Sequence, residues 1–443
     1  MPAPTQRKKQ SKRPPTHRAL PPQPVRTDGA FDVHLRQSVA RLRDSIAQVL
    51  SAVGANLRVP HSITRDFGID KSMASKLARV VREPDPFAAA LDVPGEEAMR
   101  IFSRTMRDAG APAQTIEALR DSVASFQVMV RTHCGDRATL EMLAASAAST
   151  HGNGASAKQQ QQLETFRRNM YRGASAVFGV QARAQVAADF LSPARGGEDN
   201  SHYDVTLVNG LVDLRRIRPD VIWAVSSMRT IDQDGRPGPL LPVEPIDPVS
   251  GAESGHAAPL MRDFCSSPVP ELRVTDTSDS VRRFELPEGP VGSTSAVTIY
   301  TGWTYRNASV RHLSEGDVIR EHFVSLSTPA EMVIHDLFMH RDLSFARRPT
   351  AHLYSQLPGG VSYPNGPRDR GLLQLSEPIQ DLSGEPVRPV TTEVPNYARL
   401  VQHVIERLGF TMNDFFGVRM LLRYPPIPTT LMYRYELPQR SGE

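Results

Sequence analysis

Residues 60–79 read PHSITRDFGIDKSMASKLAR, and this stretch predicts two short helices joined by a tight turn. Gly68 can adopt the positive φ that the turn needs, because glycine has no Cβ atom. Asp70 stands directly before the second helix, where an N-cap residue belongs. The apolar residues that would face inward from the two helices are Ile63, Phe67, Ile69, Met73, Ala74 and Leu77. The stretch is therefore predicted to be a helix-turn-helix.

Helical periodicity continues on both sides of this motif. Upstream, apolar residues recur every three or four positions from Leu35 to Val53, which predicts an amphipathic helix that ends at Gly54. Downstream, the further predicted helices are 98–109, 115–133 and 137–149. Residues 29–150 are therefore predicted to form one all-helical domain.

Within the motif, the run from Gly68 to Leu77 resembles the helix-turn-helix of regulators of the lactose-repressor type. Its order is glycine, aliphatic residue, cap, three variable residues, small aliphatic residue, serine, basic residue and aliphatic residue. The resemblance covers about twenty of the 443 residues, and no hinge helix or sugar-binding domain follows it. It departs at Ala74, where a larger β-branched residue is usual. The resemblance implies the motif and DNA binding, but not the remaining architecture of that family.

The motif also assigns contacts to individual residues. In a helix-turn-helix the second helix enters the major groove and its outward side chains meet base edges. The residues predicted to contact bases are Lys71, Ser72, Ser75 and Lys76, with Arg79 further along the helix. Arg65 and Arg82 are predicted to contact phosphates, which position the protein on DNA without specifying a sequence.

A basic, proline-rich arm, residues 1–28, precedes the helices. Its basic residues, with no acidic residue before Asp28, are Arg7, Lys8, Lys9, Lys12, Arg13, Arg18 and Arg26. Without these seven, 45 basic residues face 48 acidic ones, so the net charge of +4 comes from the arm. The arm has too little apolar surface to bury and is predicted to be disordered. Its local charge favours contact with a polyanion such as DNA.

Each of these features also has an interpretation without DNA. The motif alone is consistent with a packing unit inside a helical domain. The arm alone is consistent with a solvated tail that improves solubility. Their position next to each other favours DNA binding.

The sequence changes character in its C-terminal two-thirds. Residues 151–163 include His-Gly-Asn-Gly and four consecutive glutamines, a composition typical of a linker. Residues 164–443 are predicted to form a β-rich, sandwich-like domain with one or two helices, one of them at 397–408. Long loops are predicted at 232–293 and 356–371. The chain as a whole is therefore predicted to be a multidomain α + β protein.

Local patterns within this domain predict individual helices and strands. The periodicity over 166–190 favours a helix, and Asn209-Gly210 between two apolar runs, 205–208 and 211–214, favours a β-hairpin. Further strands are predicted at 220–225, 296–305, 318–326, 419–424 and 431–437. Residues 329–340 have a capping-box pattern but a strand-like composition, which leaves helix and strand both open.

The sequence offers few candidates for catalysis or metal binding. His335, Asp336, His340 and Asp342 form the densest group of potential ligands. Five-residue spacing places His335 and His340 on different faces of a helix or a strand, which favours surface or capping roles. The two cysteines, Cys134 and Cys265, give neither a disulfide framework nor a metal-ligand spacing. No catalytic residue, cofactor or metal site is therefore predicted.

Neither a membrane span nor a secretory signal is predicted. No apolar run approaches the roughly 18–20 residues that cross a bilayer. Positive charge at the N-terminus is not followed by an apolar stretch, as a signal peptide requires. A cytoplasmic protein is expected.

These observations together predict a DNA-binding transcriptional regulator that acts as a homodimer or a higher oligomer. The β-rich domain would oligomerise or sense an unidentified small-molecule effector. One alternative is a structural protein whose arm binds nucleic acid without sequence preference while the β-rich domain builds an assembly. The other is a metal-dependent enzyme with its site among His335, Asp336, His340 and Asp342.

Overall fold

The computed structural model describes residues 28–55, 60–147, 157–195, 201–231, 237–248, 250, 257–278, 280–313, 319–357 and 371–439. The chain divides into two compact units, Met1–Ala147 and Ala148–Glu443. None of the helices within the described ranges is long and apolar enough to cross a membrane.

The first unit contains only helices among its described residues. They are α1 (Asp28–Ala52), α2 (Pro60–Phe67), α3 (Lys71–Arg82), α4 (Pro86–Ala90), α5 (Glu96–Asp108), α6 (Ala113–His133) and α7 (Arg137–Ala147). The helices predicted at 98–109 and 115–133 are confirmed to within about two residues at each end, the usual uncertainty of helix boundaries. The helix predicted at 137–149 is confirmed over Arg137–Ala147, and its last two residues lie outside the described residues.

The long helix α1 provides the centre of this unit. Its apolar stripe from Leu35 to Val49 is fully buried, as the sequence periodicity predicts. It contacts α3, α4 and α6. Arg43 of α1 also donates to the Val80 carbonyl oxygen at 3.0 Å and to that of Glu83, so it caps the C-terminal end of α3. Helix α3 is thereby fixed to the core at its C-terminal end.

The second unit is rich in β-structure, as predicted. Its helices are α8 (Ala157–Phe178) and α9 (Tyr397–Arg407). Its strands are β1 (Val180–Pro193), β2 (His202–Arg216), β3 (Trp223–Ile231), β4 (Pro237–Gly238), β5 (Glu244–Pro245), β6 (Arg273–Ser278), β7 (Val281–Leu286), β8 (Val297–Val310), β9 (Ile319–Leu326), β10 (Ala330–His340), β11 (Thr350–Ser355), β12 (Leu372–Leu373), β13 (Gln380–Asp381), β14 (Phe415–Arg423) and β15 (Thr429–Glu436).

These strands form three sheets. The largest has the order β13-β14-β10-β1-β2-β8-β5, and β1 pairs with β10 in parallel. The other two have the orders β12-β11-β15-β9 and β4-β3-β7-β6. Helix α9 packs on the large sheet through an apolar cluster that includes Val401 and Ile334. The sheet containing β15 packs on the opposite face, through Leu431 and Val333.

The helix predicted over 166–190 is wrong in its second half. Helix α8 ends at Phe178, Gly179 takes a φ of +74°, and β1 begins at Val180. From Val180 to Val186, alternate residues are buried, which is the period of a strand. Frequent alanine in this segment resembles a helical composition, because alanine has the highest helix propensity.

The hairpin predicted at Asn209-Gly210 is also wrong, because both residues lie inside the continuous strand β2. Gly210 pairs with Tyr300 of β8, and a Cβ atom at position 210 would overlap the Tyr300 ring. The glycine therefore makes room for a buried aromatic ring across the sheet, and not for a turn.

Two segments predicted to be irregular contain regular structure. The linker prediction at 151–163 is wrong from residue 157 onward, where α8 begins and Gln159 is buried. Glutamine is a good helix former, so its repetition does not exclude a helix. The long loop predicted at 232–293 contains β6 and β7, whose polar residues include the cross-strand ion pair Arg282–Asp276, at 2.7 Å.

In the segment 329–340, for which the sequence leaves helix and strand both open, the strand β10 spans Ala330–His340. Its neighbours β1 and β14 pair with it along nearly its whole length. The capping-box pattern that begins at Thr328 is therefore not used for a helix. Most of the loop predicted at 356–371 lies outside the described residues.

We expect Gly210→Ala to lower the free energy of unfolding of the β-rich unit by about 1–3 kcal/mol, because the new methyl group overlaps the buried Tyr300 ring. Gly173→Ala is the matched control, since Gly173 lies in α8 with open space around it. That change should instead raise stability by about 1 kcal/mol. Urea denaturation measures both, and similar effects of the two substitutions would contradict the role given to Gly210.

Candidate nucleic-acid interface

The turn between α2 and α3 is built as the sequence predicts. Gly68 has a φ of +67°, and its amide donates to the Thr64 carbonyl oxygen at 3.0 Å. A Cβ atom at this position would meet no neighbour, so the backbone conformation alone makes glycine necessary. Only residues 68–70 separate the two helices.

Asp70 fixes the start of α3. Its Oδ1 accepts hydrogen bonds from the backbone amides of Ser72, at 2.9 Å, and Met73, at 3.1 Å. The side chain thus satisfies two amides that have no partner within the helix. The negative charge also complements the positive end of the helix dipole.

The apolar faces of α2 and α3 turn toward the core of the first unit. Ile63, Ala74 and Leu77 are fully buried, and Ile69 of the turn is 4 % exposed. Phe67 and Met73 are partly buried against the same cluster. Ala74 is fully buried, so its small side chain leaves no solvent-exposed gap between the two helices. These contacts determine which side of α3 faces solvent.

The outward face of α3 is basic and polar. Its exposed residues are Lys71, Ser72, Lys76, Arg79 and Arg82, while Ser75 is half-buried. No acidic residue occurs between Lys71 and Arg82. With a rise of about 1.5 Å per residue, this face extends over about 16 Å. An α-helix with its side chains is about 10–12 Å in diameter, and the major groove of B-DNA, about 12 Å wide, admits it.

Arg65 and Arg79 both form ion pairs within the first unit. Arg65 pairs with its neighbour Asp66 at 2.8 Å, and both side chains are well exposed. Arg79 pairs with Asp92 at 2.9 Å, although Asp92 itself is buried. The positive charge of each arginine is therefore partly balanced. The arm residues named above all lie outside the described residues.

The four residues considered as a metal-dependent site are not brought together. His335 and Asp336 are both fully buried, on opposite faces of β10, so the surface role predicted for them is wrong. The reason is that β10 lies in the middle of the large sheet and is covered on both faces. His340 accepts a hydrogen bond from the Asp342 amide at 3.2 Å, which is the predicted capping role.

Each buried polar residue of β10 belongs to its own network. Asp336 accepts two hydrogen bonds from Arg419, at 2.8 and 2.7 Å, and one from the Tyr397 hydroxyl at 2.8 Å. This bidentate pair compensates the burial of the carboxylate and joins β14 and α9 to β10.

On the other face, His335 Nε2 lies 3.1 Å from Asp189 Oδ2. Its Nδ1 has no partner in the described part of the chain. His322 Nδ1 lies 3.9 Å from the same oxygen, and its Nε2 bonds the Tyr435 hydroxyl at 3.0 Å. Asp189 and His335 are 146 positions apart, so sequence spacing gives no sign of this cluster.

Neither network is a candidate metal centre. No group of three or more metal-ligating side chains occurs among the residues that the structure describes. Both cysteines are reduced, and burial raises the pKa of each thiol, which disfavours the reactive thiolate. The exposed face of α3 therefore remains the strongest candidate site.

No protein-family model matches this sequence, and no curated protein or solved structure is significantly similar to it.

The buried cluster around His322 makes stability depend on pH. Burial lowers the pKa of His322 from its ordinary 6.5 to about 4, more than the attraction of Asp189 raises it. The unfolded chain binds this proton more readily between those values, so stability is fully present above pH 6.5 and falls toward pH 4. We expect His322 to account for a loss of about 3 kcal/mol across that window.

Denaturation of the wild type and of His322→Gln at several pH values isolates this contribution, because other titrating groups cancel in the difference. The difference between the two proteins in free energy of unfolding should shrink as the pH falls from 6.5 to 4. A difference that stays constant with pH would show that His322 does not hold a depressed pKa.

Proposed function

We propose that this protein is a sequence-specific DNA-binding regulator that inserts α3 into the major groove. The observation that carries the proposal is the exposed face of α3, which is basic and free of acidic residues. Asp70 caps the N-terminal end of the same helix. Helices in this arrangement present their N-terminal outward residues to base edges. The resemblance of Gly68–Leu77 to helix-turn-helix regulators supports the same assignment.

The residues proposed to contact bases are Lys71, Ser72, Ser75 and Lys76, with Arg79 on the same face. Lysine and arginine donate to the O6 and N7 acceptors of guanine, while serine can serve more than one base. Arg65 and Arg82 are proposed to contact phosphates. Serines and basic residues lie together on one face, which suits recognition of base edges better than a uniform charge would.

The arm and the β-rich unit have separate roles in this proposal. The arm supplies positive charge that follows the phosphate backbone or enters the minor groove. The β-rich unit would bring two copies together, or sense a small molecule, so that two recognition helices reach two half-sites.

Fluorescence anisotropy against a random-sequence DNA library tests the proposal most simply. At about 50 mM salt, where phosphate contacts are strongest, the full-length protein should bind and should release DNA as salt is added. No salt-sensitive binding under these conditions would refute the proposal. Light scattering after size-exclusion chromatography separates a dimeric regulator from an assembly protein, which would elute as a large particle.

We expect Lys71→Ala combined with Lys76→Ala to weaken binding to a selected site by about 2 kcal/mol or more, because each base contact contributes about 1–3 kcal/mol. Both side chains are exposed, so thermal stability should not change. The control is Arg104→Ala combined with Arg107→Ala, at two exposed positions of α5. It removes the same charge and should weaken DNA binding less. Equal losses in the two double variants would exclude α3 as the recognition helix.

Deletion of residues 1–27 should change the salt dependence and not the stability. If about four to six of its seven basic residues meet phosphates, the slope of log K against log salt should shrink by roughly 0.9 per contact. Affinity should fall for selected and random DNA alike. An unchanged slope in the truncated protein would mean that the arm does not contact DNA.

A further inference from the structure

Asp92 is a buried carboxylate at the edge of the candidate interface. It follows α4, its backbone amide donates to the Ala89 carbonyl oxygen at 3.0 Å, and it is 3 % exposed. A carboxylate in that position needs a positively charged partner. Arg79 of α3 is such a partner, and its Nε lies 2.9 Å from Asp92 Oδ1. The Arg79 side chain is itself 52 % exposed, so the pair joins the core of the unit to the outward face of α3.

A second hydrogen bond restrains the same guanidinium. Arg79 Nη1 donates to Ser75 Oγ at 2.8 Å, one helical turn earlier. Of the five N–H groups of an arginine, these contacts use one on Nε and one on Nη1. In the part of the chain that the structure describes, Nη2 donates to no atom. Three N–H groups, one on Nη1 and two on Nη2, therefore remain that can donate to a further partner.

The ion pair contributes little to stability. Arg79 is half-exposed, and a pair that remains in contact with water gains only a modest free energy after desolvation of the buried carboxylate. What the pair does provide is orientation, because a long flexible side chain is held in one rotamer before any partner arrives. This preorganisation lowers the entropy lost on binding.

We infer that Asp92 positions Arg79 so that the Nη1–Nη2 edge reads a guanine in the major groove, an inference that rests on the proposed function. Guanine offers two adjacent acceptors, O6 and N7, that match the planar fork of arginine. A phosphate is the poorer match, because Asp92 balances the charge of Arg79 and so weakens the attraction to a phosphate and the release of counterions. Asp92 is thus a positioning residue, and Arg79 determines specificity.

The test begins with the full-length protein and the DNA site that it selects from a random library. Affinity is then measured for that site and for every single-base change, with the wild type, Arg79→Lys and Asp92→Asn. Wild type should discriminate against replacement of one guanine by about fivefold or more. Both variants should lose most of that discrimination at this one position and retain it elsewhere. Asp92→Asn should bind random DNA as well as the wild type or better, because it removes a negative charge.

Glu97→Gln is the matched control, since Glu97 pairs with Arg100 on the exposed surface of α5 and its loss removes the same charge. It should leave base discrimination unchanged. If Arg79→Lys loses affinity equally for every sequence, Arg79 contacts a phosphate. If the variants keep the wild-type ratios of affinity between the selected site and its single-base changes, and only their melting temperature falls, the pair is purely structural. Either result overturns this inference alone. A wild type that binds no DNA overturns the proposed function and the inference with it.

Discussion

The conformation of Gly68 is the constraint on which the candidate interface depends. A φ of +67° is accessible to glycine at little cost, whereas other residues are strained there by about 1–2 kcal/mol. This single angle lets α3 follow α2 after three residues, with Ile69 buried between them. Asp70 then fixes the first turn of α3 and Arg43 its last turn. The exposed side chains of α3 are consequently held on a helix that is fixed at both ends.

Charge in this protein is arranged in two ways that have different consequences. The arm carries seven basic residues and no acidic residue before Asp28, so its interaction with DNA would depend strongly on salt. On α3, in contrast, Arg79 is paired with a buried carboxylate, and its charge is partly balanced before DNA arrives. The proposed division is that the arm supplies affinity and α3 supplies selectivity. In the β-rich unit, Asp336 and Arg419 form a buried ion pair enclosed between the large sheet and α9.

The first unit could be predicted from the sequence, because its helices depend on contacts close in the chain. The stripe on α1, the cap at Asp70 and the turn at Gly68 are all local signals, and each is present in the structure. The β-rich unit depends on contacts between residues that are distant in the sequence. Gly210 is necessary because Tyr300 lies across the sheet, and Asp189 meets His335 only through parallel pairing of β1 with β10. The pair of Arg79 and Asp92 was missed for the same reason, since nothing local indicates that Asp92 is buried.

Photo-crosslinking tests the central proposal, that α3 lies in the major groove, most directly. DNA that contains 5-bromodeoxyuridine carries its reactive bromine where the thymine methyl group projects into that groove. Irradiation of the full-length protein on such DNA, followed by peptide mass spectrometry, locates the residues in contact. The proposal predicts crosslinks within Lys71–Arg82. Crosslinks confined to residues of the second unit, with none in α3 under conditions where the protein is bound, would contradict it.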